Sequence, residues 1–344
     1  MPRKIVAAIM IAVGVWGLFA IATHSTEPRW RADDPARSGH VTAMTWWQDA
    51  PLVAQQDGTV WTRDGSDWQV HSTLSDEARS TVLFSGTELL AGTAADGVQR
   101  LDGQDWIAEE GDDAPTGRIS HVTGFGDGRV FAAGNGGVWE RAGDGDWRFL
   151  GHPDPDVPVY RVVVRDEDGD TVIRSGSIEA GVHVYRPDDD AWQADNDGLP
   201  DASKILSFQE LADSSLVAGT DAGLFRQQRV GERWQRIGGI LGDRRVLDMA
   251  VTDDRLYAAS DDGVWRAPIR DGGLADEPDW LPVLAAAGEL DASVSWVLTD
   301  DESPWIAAGS VYQLRSGRTP EWYLLVIGTP LMLIGGFGLW LLRR

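Results

Sequence analysis

One repeated stretch constrains this chain more than anything else in it. Its clearest copy runs Leu216-Val-Ala-Gly-Thr-Asp-Ala-Gly-Leu-Phe-Arg226, with Trp234 following. An apolar strand ends in small residues, a turn carries glycine, a second strand starts on Val or Leu, and a lone Trp follows about ten residues after the turn glycine. The turn glycine recurs at Gly58, Gly97, Gly137, Gly181, Gly223, Gly263 and Gly309, at intervals of 39, 40, 44, 42, 40 and 46 residues. The Trp recurs at Trp68, Trp106, Trp147, Trp192, Trp234 and Trp280. A period near 40 with several short strands per unit predicts an all-β, seven-bladed β-propeller.

Each unit reads as three strands before its Trp strand. First strands are expected at 41–47, 81–86, 119–125, 159–165, 205–211, 246–252 and 293–299. Second strands are rich in Ala and Gly, which let blades approach closely near the axis. The Trp of the fourth strand is expected to plug the gap between neighbouring blades, because a large ring with one donor suits such a seam. The seventh unit lacks a fourth strand. An orphan, Glu27-Pro-Arg-Trp30-Arg31, precedes the first unit and looks like the missing piece. Ring closure by this N-terminal strand would remove two free sheet edges.

Three parts follow: residues 1–23, 24–320 and 321–344. Residues 5–23 form an uncharged apolar run behind Arg3 and Lys4, as in a signal anchor or a cleaved signal peptide. Residues 322–342 form a second run with Trp322, Tyr323 and Trp340 as interfacial anchors, followed by Arg343 and Arg344. The expectation is an integral membrane protein with both termini cytoplasmic and the propeller on the extracytoplasmic side of the cell membrane.

The formal charge is −24, from 54 acids against 30 bases, and Lys4 and Lys204 are the only lysines. Such acidity suits a halophile, where it keeps a surface hydrated in strong salt. It disfavours nucleic acid as a partner, since the net field repels phosphate. With no Cys there is no disulfide, thiolate metal site or Cys nucleophile.

The repeat resembles that of the BNR or Asp-box-like propellers, a group that includes sialidases, the sortilin ectodomain and assembly factors of the photosystem II stability type. The resemblance covers residues from about 27 to 315 by repeat pattern. The box is shortened in Arg63-Asp64-Gly65-Ser66-Asp67-Trp68 and in Arg100-Leu-Asp102-Gly103-Gln-Asp105-Trp106. In that group the box is a structural turn. The resemblance therefore implies a fold rather than an activity.

Six blades carry a base 18–20 positions before the turn glycine: His40, Arg79, Arg118, Arg161, Lys204 and Arg245. Equal offsets predict a basic ring on one rim of the central channel, a local positive focus for a protein partner or an anionic ligand. The bland alternative is that each base neutralises an Asp of its own or the next blade. The seventh blade has Glu289 and Asp291 near that offset.

Asp166, Asp168 and Asp170 could bind Ca²⁺ in a compact loop, but Asp-Gly is also an ordinary hairpin turn. No other cofactor is indicated. The six histidines are scattered and no G-x-S-x-G elbow appears, so no catalytic residue is assigned and the chain is read as a binding or assembly scaffold. The alternative is a surface enzyme acting on glycans, sialidase- or lyase-like. A sialidase-like site would take an Arg cluster from Arg118, Arg161 and Arg245 and a Tyr such as Tyr160.

Overall fold

In the computed structural model the described residues are 29–33, 40–65, 67–74, 80–143, 145–154, 156–283, 290, 294–299 and 304–315. Both apolar terminal runs lie outside them. Among the described residues no helix is long and apolar enough to cross a membrane.

Short β-prone runs separated by Gly and Asp turns build seven four-stranded antiparallel sheets. The N-terminal strand is β1 (Arg29–Ala32). Blade 1 comprises β2 (Val41–Trp47), β3 (Ala50–Gln55), β4 (Thr59–Asp64) and β5 (Asp67–Thr73). Blade 2 comprises β6 (Ser80–Ser85), β7 (Leu89–Thr93), β8 (Val98–Asp102) and β9 (Asp105–Ala108). Blade 3 comprises β10 (Ile119–Gly124), β11 (Arg129–Gly134), β12 (Gly137–Ala142) and β13 (Trp147–Gly151). Blade 4 comprises β14 (Val159–Glu167), β15 (Asp170–Ser177), β16 (Val182–Arg186) and β17 (Ala191–Ala194). Blade 5 comprises β18 (Ile205–Glu210), β19 (Leu216–Thr220), β20 (Gly223–Gln227) and β21 (Gln235–Ile237). Blade 6 comprises β22 (Val246–Val251), β23 (Arg255–Ser260), β24 (Gly263–Pro268) and β25 (Leu281–Val283).

The last sheet is ordered β1, β28 (Ser310–Arg315), β27 (Trp305–Ala308) and β26 (Trp296–Leu298). The N-terminal strand thus supplies the fourth strand of blade 7, the closure expected from the orphan Trp30. By contacts the chain divides into two units, Met1–Arg31 with Leu314–Arg344, and Ala32–Gln313. In the first, β1 holds Trp30 fully buried. The site described below lies within the second.

The core is a set of layers between consecutive blades. One joins Leu83, Leu89 and Ala91 of blade 2 to Leu52, Ala54 and Val60 of blade 1. Another joins Val182 of blade 4 to Ile205, Leu216, Phe225 and Trp234 of blade 5. Fourth-strand tryptophans tie these layers across the seams. Five of the indole N–H groups reach one blade back, Trp68 to Asp33 Oδ1 at 3.1 Å, Trp106 to Ser72 Oγ at 3.1 Å, and Trp147 to Glu109 Oε2 at 2.8 Å among them. Trp192 reaches the Leu150 carbonyl and Trp234 the Asp195 carbonyl, both at 2.9 Å. The Trp period is therefore the period of the seam, and these five indoles have the polar end satisfied, whereas the buried indole nitrogens of Trp30 and Trp280 have no hydrogen-bond partner among the described residues.

A second periodic feature was not visible as a motif. In six blades the first strand slips register by one residue near its start, at Thr42, Thr81, Ser120, Tyr160, Leu206 and Leu247. Such bulges bend a strand and re-aim the side chains beside them. The residue after each bulge pairs with Ala or Gly of the second strand: Ala43 with Ala54, Val82 with Gly92, His121 with Ala133, Arg161 with Gly176, Ser207 with Gly219, and Asp248 with Ala259. Trp296 with Ala307 completes the series in blade 7. A Cβ on Gly219 would stand 2.3 Å from Ser207 Oγ, which shows why this partner must be small.

Candidate binding site at the axial mouth

The bulges gather seven first strands around one axis, and a cavity of about 390 Å³ opens where those strands begin. Thr42, Thr81, Tyr160 and Leu247 line it from the bulge positions and Ser295 from just before β26, with Arg161 and Trp296 one residue further along. Arg118, Ser80, Gln56 and Ala94 complete the wall. Two guanidinium groups, several hydroxyls and two aromatic rings thus face one space in a chain of net charge −24.

Arg161 is the centre of this arrangement. Its side chain is buried, and its guanidinium carbon lies 4.6 Å from the Tyr160 ring centre and 5.8 Å from that of Trp296. Cation–π contact of this kind holds a desolvated arginine in place. Nη1 donates to the Tyr160 carbonyl at 3.3 Å and to the Ser120 carbonyl at 3.5 Å. The Trp296 ring is fixed in turn, its indole N–H donating to the Thr42 carbonyl at 3.1 Å.

Two titratable groups share the ring of positions with Arg161. Asp248 Oδ2 accepts the Val297 amide at 2.8 Å. Enclosure by the blades pushes its carboxyl up to about 6, against the opposing pull of the Arg161 charge and of the Val297 and Met249 amides. His121 Nδ1 accepts the Val162 amide at 3.4 Å. Its imidazole is pushed down to about 3, first by burial and then by the Arg161 charge, so it stays neutral.

Of the described rim bases, His40, Arg118, Lys204 and Arg245 stand at one register, two residues before the bulge, and Arg161 does not. In the first three the backbone carbonyl accepts the amide of Gln56, Asn135 or Asp221, the residue just after the blade's second strand. All three are exposed, but only Arg118 lines the cavity. Arg245 is held by Asp261 of its own blade at 3.1 Å, the bland alternative weighed above. Arg79 lies outside the described residues, as do Glu289 and Asp291.

Arg161 corrects the offset argument. The position equivalent to Arg118 in blade 4 is Pro158, two residues before the bulge, and Arg161 belongs to the inner ring instead. The cause is the long β14–β15 hairpin, with strands of 9 and 8 residues against 6 and 6 in blade 3. Counting back from Gly181 therefore stops too deep in the blade. The count also missed Asp248, His121 and Trp296. A usable signal was present, since Asp248 is the lone polar residue of an otherwise apolar first strand and His121 the lone ionisable residue of its own.

The Asp166–Asp170 run is accounted for by its hairpin. Asp166 Oδ1 caps the Gly169 amide at 2.8 Å, Asp168 takes the left-handed turn position (φ 58°), and Asp168 reaches Arg229 at 3.7 Å. Among the described residues no three His, Asp or Glu side chains are placed to hold one metal ion. No described carboxylate hydrogen-bonds Tyr160. A second cavity, about 430 Å³, lies beside Asp213, Pro268 and Leu274, where Gly273 packs against the Asp213 carboxylate.

No family model matches the chain, and no curated protein matches it by sequence. Solved structures do match in fold. The extracellular domain of a hybrid two-component system from B. thetaiotaomicron superposes with a TM-score of 0.67 at 12% identity, over 84% of this chain and 42% of that one. YCF48 from Cyanidioschyzon merolae gives 0.61 at 15% identity, over 83% and 98%. PorZ, a surface component of the type-IX secretion system of Porphyromonas gingivalis, gives 0.60 at 14% identity, over 83% and 48%. The chain thus spans less than half of the first and third of these. At such identities the likeness is one of fold: this is a seven-bladed β-propeller.

Proposed function

We propose that the chain is a membrane-anchored, extracytoplasmic propeller that works as a protein-binding or assembly module, gripping an anionic segment of its partner at the axial mouth. One observation carries the reading: Arg118 and Arg161 face one 390 Å³ cavity in a strongly acidic protein. Field lines focus at such a mouth, and guanidinium groups pair well with carboxylates. The neighbours lend support, since they include extracellular domains and YCF48 solved with a D1 peptide bound. The test is co-purification from native membranes. A partner seen with wild type should vanish with Arg118→Glu and remain with Arg245→Ala, provided the variants melt alike. Identical partners with all three would refute the assignment.

A glycan-acting enzyme is the second reading, favoured by Tyr160 sharing the cavity with Arg118 and Arg161. Against it, Arg245 is committed to Asp261. Turnover on a glycoside panel that disappears in Tyr160→Phe would replace the binding module with this enzyme.

A further inference from the structure

We propose that binding at the axial mouth is proton-linked: an incoming carboxylate and Asp248 compete for the Arg161 guanidinium, so that filling the mouth brings one proton onto Asp248. This rests on the reading that the mouth receives an anionic partner.

The geometry is that of one charged cluster. His121, Arg161 and Asp248 stand at the same position of β10, β14 and β22, each the residue after its bulge. The other four strands contribute Ala43, Val82, Ser207 and Trp296 at that position, none of them charged. Among the described residues Arg161 is thus the one cation, and Asp248 the one carboxylate, at this level of the ring, close enough for the Arg161 charge to act on the Asp248 carboxyl. Among the described residues only Arg118 adds further charge to the cavity wall. His121 cannot answer a new anion near neutral pH, because burial and Arg161 hold it neutral far below that range.

A carboxylate entering beside Arg161 places a second negative charge in this enclosed space. Two carboxylates sharing one site cannot both stay ionised cheaply, and the one without an escape to water takes a proton. The ligand's own carboxylate ordinarily titrates near 3.5 to 4.3. Asp248 already titrates near 6 in the empty protein, so it is the acceptor. Each unit by which the bound ligand raises the Asp248 value weakens binding about tenfold as pH rises through that interval.

The full-length protein would be titrated calorimetrically between pH 5.5 and 8. Two probes are used: acetyl-trialanine with a free C-terminal carboxylate, and acetyl-Ala-Glu-Ala-amide. Acetyl-trialanine amide is the uncharged control, and the pair shows whether a chain terminus or an acidic side chain is preferred. Buffers of different ionisation enthalpy report the protons taken up. Wild type is expected to lose about tenfold in affinity between pH 6 and 7.5 and to take up close to one proton near pH 7. Asp248→Asn should bind at the wild-type low-pH affinity across the range, with no uptake. Arg161→Gln should lose binding at every pH. Wild-type binding that is flat with pH, or a slope that survives in Asp248→Asn, overturns the linkage while leaving the binding module standing. No binding of either charged probe at any pH overturns both.

Discussion

Replacing Trp234 by Phe tests the seam reading more sharply than any other single change. Trp234 is 1% exposed and packs with Val182, Ile205, Leu216 and Phe225. Its indole N–H donates to the Asp195 carbonyl of the preceding blade at 2.9 Å. Phe keeps a ring in the seam but removes roughly 30–40 Å³ and the donor. The cavity costs about 1 kcal/mol at the usual price per volume. The orphaned buried carbonyl adds about 1–2 kcal/mol. Trp280 is the natural control. It stands just before the equivalent strand of blade 6, as Trp234 does in blade 5, is 7% exposed, and its buried indole nitrogen has no partner among the described residues. Trp280→Phe removes similar volume but relieves an unsatisfied donor, so it should cost about 1 kcal/mol or less. The expected gap between the two variants is about 1.5 kcal/mol, read as a difference in urea midpoint by near-ultraviolet circular dichroism at constant slope. Equal losses, or a larger loss at Trp280, would refute the claim that the indole hydrogen bond links the blades.

Gly97→Ala should be severely destabilising, because a Cβ there would stand 1.8 Å from the Pro115 carbonyl oxygen at φ 71°, whereas Gly103→Ala at φ 66° meets open space and should cost only about 1 kcal/mol of backbone strain; thermal melts compare them. Gly219→Ala should cost about 1–3 kcal/mol through the contact with Ser207 Oγ, and Ser207→Ala should recover part of it in a double-mutant cycle. Asp248 is raised in the folded state, so its penalty is absent below the unfolded carboxyl range, develops as pH rises from that range to about 6, and is complete above it. Asp248→Asn should therefore raise the melting temperature most at pH 8, by roughly half as much at pH 5, and not at pH 3.

Much of the fold could be read because its signals are local. Turn glycines, apolar second strands and fourth-strand tryptophans each declare themselves within a few residues. Observed first strands in blades 1 to 6 begin within one residue of expectation, as with Val41–Trp47 and Ile205–Glu210. The orphan Trp30 was legible for a different reason: a repeat count that starts with a fourth strand and ends without one closes only one way. In blade 7 the strand is shorter than expected, Trp296–Leu298 rather than 293–299, and residue 293 falls outside the described set.

The site resisted reading because its register is measured from the bulge, and a bulge leaves no residue signature. Thr42, Thr81, Ser120, Tyr160, Leu206 and Leu247 share a backbone conformation, not a chemistry. Counting from a turn glycine works only while the intervening hairpin keeps its length, and blade 4 lengthens it. That lengthening is what separates Arg161 from the exposed bases. Had Arg161 stood where Pro158 stands, it would face solvent like Arg118 and Lys204, screened and free to pair with a surface Asp. Three residues further on, it is buried between Tyr160 and Trp296 with Asp248 as its counter-charge. A buried arginine whose compensating carboxyl titrates near 6 is poised to accept a replacement anion, which an exposed one paired at the rim is not. Replacing Asp168 by Asn, which keeps the two-residue β14–β15 turn and both strands, should therefore leave anion binding intact. Transplanting the base, as Arg161→Ser with Pro158→Arg, should abolish it even though the net charge is unchanged. Binding retained by the transplanted variant would mean that charge at the rim, rather than its enclosure on the axis, is what the mouth offers.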